Sequence, residues 1–234
     1  MPLRWLRYPQ RMSVRESAVA LVIPVKPLQG AKQRLASVLS AADRRVLGLA
    51  LAAGTVRCAV ATWPPASVVL VGDDPEVGRL AARVGAAWLA DAGAGQSPAV
   101  RLGFEWALAQ GAEVVATAAA DLPEVSPDDL GHLLSIARTA DASGLWLAPD
   151  AAGTGTNALV LRPPGADVLR FGPDSLARHR AAAAALGLPV QLIDRPGLRR
   201  DCDRLEDIEA LQALPPRSAA HHLLQGLAER VPAP

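Results

Sequence analysis

Four short stretches of this chain carry residue types that could do chemistry together. The first, PVKPLQGAKQRL, places Lys26, Lys32 and Arg34 around Gly30, directly after an apolar run. Backbone N–H groups at a glycine turn, with cationic side chains nearby, make a cradle for a polyphosphate; the competing reading is a solvated basic turn. The stretch lacks the GxxxxGK[ST] of a P-loop, and no GxGxxG follows a strand anywhere in the chain. The second stretch, ATAAADLPEVSP, ends an apolar run on Asp121. A carboxylate there suits a Mg2+ ion, which takes one or two carboxylates beside phosphate oxygens, or it simply caps the turn. The third, LRRDCDRLED, sets Asp201 and Asp203 one residue apart, on the same side if the segment is extended. They could complete a metal site, or Asp203 could N-cap a helix over 204–214 with Glu206 closing a capping box.

The fourth constellation joins APDAAGTGTNALVLRPP to RFGPDSLARHR. Gly153 and Gly155 permit positive φ, so successive amides can converge on an anion. A helix starting at Asp174 or Ser175 adds free N–H groups among Arg170, Arg178 and Arg180. Asp150 reads as a turn residue. No Ser-His-Asp arrangement is legible, the four histidines lack metal-ligand spacing, and His179 reads as a helix-surface residue.

These loops need elements to hold them. AVALVIPV (18–25) is a continuous apolar run, as expected of a strand buried on both faces. Residues 41–61 repeat apolar positions at helical spacing. SVVLVG (67–72) and AAWLA (86–90) read as strands flanking the helix PEVGRLAARVG. The glycine-rich loop DAGAGQSP (91–98) opens a helix to Gln110, and EVVATAAA (113–120) is another buried strand. A helix over 127–140 follows, with Ser126 as N-cap and Pro127 in its first position. Strand and helix in short alternation predict right-handed βαβ crossovers and an open parallel sheet. Beyond residue 143, GLWLAPD and TNALVLR read as two strands, antiparallel to each other. An alanine-rich helix closed by Gly187, the strands PVQLID and GLRRDCD, and the helix RLEDIEALQAL follow.

Composition narrows the function classes. At 234 residues the chain can build one substantial α/β domain, expected over 18–214. A net charge of +1 gives no electrostatic case for nucleic acid or an anionic membrane, so any anion must be held locally. No apolar run reaches the roughly 18 residues of a membrane span. Cys58 and Cys202 form no CxxC pair, which favours a reducing, cytoplasmic compartment over a disulfide framework. Residues 1–17, with four arginines, read as a disordered extension or as sequence upstream of a natural start at Met12, and 215–234 as a tail.

Taken together, PVKPLQGAKQRL, ADLP, GTGTNAL, RFGPDSLARHR and GLRRDCD resemble the guanylyltransferases of coenzyme F420 biosynthesis. These are the 2-phospho-L-lactate guanylyltransferases and their actinobacterial phosphoenolpyruvate counterparts. The resemblance spans about residues 18 to 210. It implies a Rossmann-like (GT-A-like) nucleotidyltransferase fold, three layers around a mostly parallel sheet with a small antiparallel extension. It also implies GTP as donor, Mg2+ as cofactor, and a small phosphorylated acid as acceptor: phosphoenolpyruvate, 2-phospho-L-lactate or 3-phosphoglycerate. Lys26, Lys32 and Arg34 would take the triphosphate, with Gly30 in the loop. Asp121 with Asp201 or Asp203 would take metal, and Thr154, Thr156, Gly172 and Ser175 the acceptor phosphate. Three positions depart from the family pattern. Ala120 replaces the glycine of GDLP, Gly95-Gln96-Ser97 stands for the GLN of the base-binding loop, and DCDRLEDI replaces DVDTPEDL. Another nucleotidyltransferase of the same fold, or a degenerate nucleotide-binding regulator, are the rival readings, and a homodimer is the default assembly.

Overall fold

A computed structural model describes residues 19–91 and 95–212. The expectations for 1–17, for 215–234 and for part of the 91–98 loop lie outside the described residues. One sheet of seven strands organises the chain, in the order β3-β2-β1-β4-β6-β5-β7. The strands are β1 (Val19–Pro24), β2 (Val68–Val71), β3 (Ala87–Leu89), β4 (Val114–Ala118), β5 (Gly144–Pro149), β6 (Thr156–Arg162) and β7 (Val190–Leu192). The helices are α1 (Ala41–Val60), α2 (Pro75–Val84), α3 (Gln96–Ala109), α4 (Pro127–Thr139), α5 (Ser175–Ala185), the single turn α6 (Pro196–Arg199) and α7 (Leu205–Gln212). Four-residue runs such as Val68–Val71 are buried throughout because helices cover both faces of the sheet. Leu21 and Ile23 face Val56 of α1, Val77 of α2 and Leu133 of α4. Ala20 and Val22 face Val100 and Phe104 of α3, and the same side holds Leu176 and Ala183 of α5. This is the three-layer arrangement the sequence predicts.

Two features of the topology make a site. The chain winds outward from β1 to β2 and β3, then returns through α3 to place β4 on the other side of β1, with all pairings parallel. That reversal opens a crevice at the carboxyl ends of β1 and β4, where open α/β sheets bind ligands. β6 then pairs antiparallel with both β4 and β5, whereas β7 is parallel to β5. β6 alone therefore runs against the rest, and its first residues, not its last, reach the crevice.

One expected strand is absent. GLRRDCD forms the turn α6, with Pro196 at its start, followed by irregular backbone over 200–203. Its polar groups are taken one at a time instead of by a ladder. Asn157 Nδ2 donates to the carbonyls of Leu198 and Arg199, at 3.0 and 3.2 Å, and Cys202 N donates to Asp121 O at 3.2 Å. Of PVQLID, only Val190–Leu192 pairs.

Candidate active site

The loop after β1 delivers the basic residues. Gly30 takes φ 77, and Lys32 takes φ 53, a left-handed conformation that costs a branched-out side chain energy and occurs mostly where the fold requires it. That turn drives the Lys32 ammonium inward, leaving its side chain 5% exposed. The loop after β4 brings Asp121, buried beside it. Between them stands the segment 200–203, whose alternation explains its geometry. Cys202 is fully buried in a small core with Leu35, Leu47, Leu51 and Ile208, so Asp201 and Asp203 turn to the opposite side, toward the crevice. A carboxylate oxygen from each of Asp121, Asp201 and Asp203 lies within 4.8 Å of the others. The expected helix cap on Asp203 does not form. Asp207, not Glu206, closes that helix start, accepting from the N–H groups of Asp203 and Arg204 at 2.9 and 2.7 Å. The Asp203 carboxylate is left for the site.

Lys32 Nζ lies 2.7 Å from Asp121 Oδ2 and 2.7 Å from Asp203 Oδ1. Lys26 Nζ, more exposed, lies 3.1 Å from Asp121 and 3.5 Å from Asp203. Burial disfavours the charges of Asp121 and Asp203, but the two ammonium groups outweigh it and hold both carboxyls below their usual range. The same exchange keeps Lys32 charged: burial opposes its charge, and Asp121 and Asp203 raise its pKa above the usual value. Asp201 is different. Burial and then the Asp121 and Asp203 carboxylates push it up to about 6. Among the described residues no cation pairs with it and no donor reaches it. Three hard oxygen ligands, one of them without a direct ion pair, are a donor set that fits a divalent cation.

A cleft of about 520 Å3 surrounds this cluster. Lys26, Gly30, Lys32, Arg34, Gly95, Gln96, Asp121, Thr156, Asp201 and Asp203 all line it, so the structure brings these expected residues together. Thr154, Gly172, Ser175 and Ser97 lie off its wall. Ser97 Oγ accepts from Phe171 N at 3.0 Å, and Thr154 O accepts from Leu176 N at 3.0 Å, which ties the 150–155 turn to the start of α5. Asp150 organises that turn by accepting from Thr154 N at 2.9 Å. His179 is not on a helix surface: it is fully buried, its Nδ1 3.1 Å from Thr156 Oγ1 and its Nε2 3.0 Å from Arg170 N. Burial, with the Arg170 and Arg178 charges behind it, lowers its pKa to about 4.

Residue types alone did not single out the clamp that holds 195–203. Asn157 lines the cleft and grips two carbonyls of α6. Asp129, inside a capping box with Ser126 at the start of α4, also accepts from Arg195 Nε at 3.0 Å. Gly197 packs so closely on Asp129 that no Cβ fits, with Glu124 O only 2.8 Å from where it would stand. The capping-box spacing of Ser126 and Asp129 was the one signal available in advance.

With this geometry in hand, the relatives are informative. Among solved structures, a putative nucleotide-diphospho-sugar transferase from Desulfovibrio desulfuricans G20 superposes with a TM-score of 0.74 at 15% identity, covering 91% of this chain and 96% of that one. A nucleotidyl transferase from Methanothermobacter thermautotroptrophicus gives 0.58 at 18% identity, covering 89% and 99%. At such identities they establish the nucleotidyltransferase fold. In sequence, the phosphoenolpyruvate guanylyltransferase of Sphaerobacter thermophilus is 39% identical over 199 residues, 85% of this chain and 95% of that protein. That of Salinispora arenicola is 43% identical over 203 residues, covering 85% and 91%. The family described as "Guanylyl transferase CofC like" matches residues 19–225. The chain is a nucleotidyltransferase that belongs to the CofC-like guanylyl transferase family.

Proposed function

We propose that this protein transfers GMP from GTP to the phosphate of phosphoenolpyruvate and releases pyrophosphate, a step in coenzyme F420 biosynthesis. The observation that carries this reading is the cluster at the β1/β4 crevice, where three carboxylates meet two ammonium groups within one cleft. The names of the relatives support the substrate pair.

Asp121, Asp201 and Asp203 would hold Mg2+, which when bound neutralises charge on the transferring phosphoryl group. Lys26, half-exposed, and Arg34, exposed on the cleft wall, turn to the polyphosphate, while Lys32 stays fixed beneath it. The acceptor phosphate is mostly dianionic near neutral pH, its second pKa being about 6, so the attacking oxygen needs no general base. Its attack on the α-phosphorus forms one P–O bond as the bond to pyrophosphate breaks. The protein's part is to hold two anions together and stabilise the spreading charge. Thr156 contacts the acceptor phosphate from the opposite wall, and Gln96 stands by the base.

The test is a side-by-side assay of GTP with phosphoenolpyruvate, 2-phospho-L-lactate and 3-phosphoglycerate, reading pyrophosphate release and product mass. Phosphoenolpyruvate should be turned over fastest. Absence of pyrophosphate with all three would sink the reading.

A further inference from the structure

Behind Thr156 lies a buried histidine that no step above uses. The Nε2 of His179 lies 3.0 Å from the backbone N of Arg170, and its Nδ1 lies 3.1 Å from Thr156 Oγ1. Phe171 closes on the ring edge-to-face, with centroids 4.8 Å apart. A backbone N–H can only donate, so Nε2 must be the bare nitrogen and the ring proton sits on Nδ1. That proton is shared between Thr156 Oγ1, which can only accept from the ring, and the Ser175 backbone one turn earlier in α5. Among the described residues Thr156 Oγ1 has no other hydrogen-bond partner, so its own proton is uncommitted. Thr156 stands on the cleft wall, at the reversed start of β6.

We propose that His179 is a positioning residue, which holds the Thr156 hydroxyl as a donor toward an anionic oxygen of the bound acceptor. This rests on the reading that Thr156 contacts the acceptor phosphate. A free hydroxyl rotates and can spend its proton on any nearby carbonyl. A hydroxyl already accepting from a fixed ring has its proton directed elsewhere, and here the open side is the cleft. The ring itself is fixed by α5, which carries it and whose Ser175 backbone bonds it, by Arg170 N, and by Phe171. The Phe171 N–H also donates to Ser97 Oγ at 3.0 Å, so the loop that orients the histidine is tied to the first turn of α3, next to Gln96 on the cleft wall.

Two near-isosteric replacements separate the two ring nitrogens. His179→Asn keeps a donor near the Nδ1 position, whereas His179→Gln keeps an acceptor for Arg170 N and loses that donor. His179→Gln should raise the KM for the phosphorylated acid about fivefold, the worth of one such hydrogen bond, and leave the KM for GTP unchanged. His179→Asn should leave both near wild type. In a Thr156→Val background, His179→Gln should add nothing further. Equal losses in the Asn and Gln variants, or a parallel rise in the GTP KM, would mean a merely structural histidine and overturn the proposal. If Thr156→Val raises the acceptor KM and His179→Gln multiplies it, the proposal falls while the Thr156 assignment stands. If Thr156→Val changes nothing, both fall. Long-range 15N NMR of the wild-type protein gives a readout independent of any substrate: His179 should be the Nδ1–H tautomer at neutral pH, and an Nε2–H tautomer refutes the inference.

Discussion

Replacing Lys32 by methionine keeps the aliphatic stem and deletes the ammonium that lies 2.7 Å from both Asp121 and Asp203. Both carboxylates then stay in the crevice with only the half-exposed Lys26 as counter-charge. Breaking a buried ion pair costs about 3–5 kcal/mol; because Lys26 remains and Asp203 is partly exposed, about 3 kcal/mol is the expected loss. For a domain of this size that corresponds to a fall in Tm of about 6–12 °C. The pH dependence follows from the depressed carboxyls. A group whose folded pKa is lowered contributes stability that is present above its unfolded value, 3.8 here, and lost as pH falls through the folded value. The Lys32→Met deficit should thus be full at pH 7 and shrink as the pH drops below the carboxylate range. Thermal unfolding of both proteins from pH 2 to 8, without added metal, measures it. A deficit that is absent, or equally large at pH 2 and pH 7, refutes the reasoning, because the lost interaction would not then be electrostatic.

Asp201→Asn should act in the opposite sense. Its raised folded pKa, about 6, works against the fold above that pH, so the variant should show a higher Tm in chelator at pH 7.5, an advantage fading between about pH 6 and 4, and should lose metal-dependent activity. Gly197→Ala must push α6 away from the start of α4, since Glu124 O lies 2.8 Å from the added Cβ and cannot swing aside as a side chain would. Overpacking of this kind costs about 1–3 kcal/mol, and calorimetry combined with Mg2+ titration should show lower stability and weaker metal binding together. Arg34→Ala removes an exposed cation from the cleft wall, so steady-state kinetics should show a higher KM for GTP while the Tm stays at the wild-type value.

What was legible in advance follows from the range of the interactions. The buried strands announce themselves because sheet strands covered on both faces need uninterrupted apolar residues, as in Val68–Val71. Lys26, Lys32 and Asp121 are legible because they follow closely on the apolar runs of β1 and β4, and the Asp201–Asp203 pair because of its one-residue spacing. The misread segment 196–203 looks strand-like in composition, yet its hydrogen bonds come from Asn157 and Asp121, each dozens of residues away. Its shape is a tertiary property that no local pattern encodes. His179 was misplaced for a related reason. The run of alanines around it is equally suited to any face of a helix, so nothing local marks the side that turns to Thr156.

The reversed direction of β6 has a consequence for how such a protein can change over evolutionary time. Most of the cleft is built from loops that lead from a strand into the next helix and carry the charged residues. The connection from β5 to β6 is a hairpin, and its tip, Ala151 and Ala152, is exposed to solvent. Residues inserted there would leave the pairing of Ala148 with Ala158 in place, as surface loop tips commonly tolerate. The fold thus separates the loops that carry the Lys–Asp cluster from a hairpin tip whose length could drift without touching that cluster.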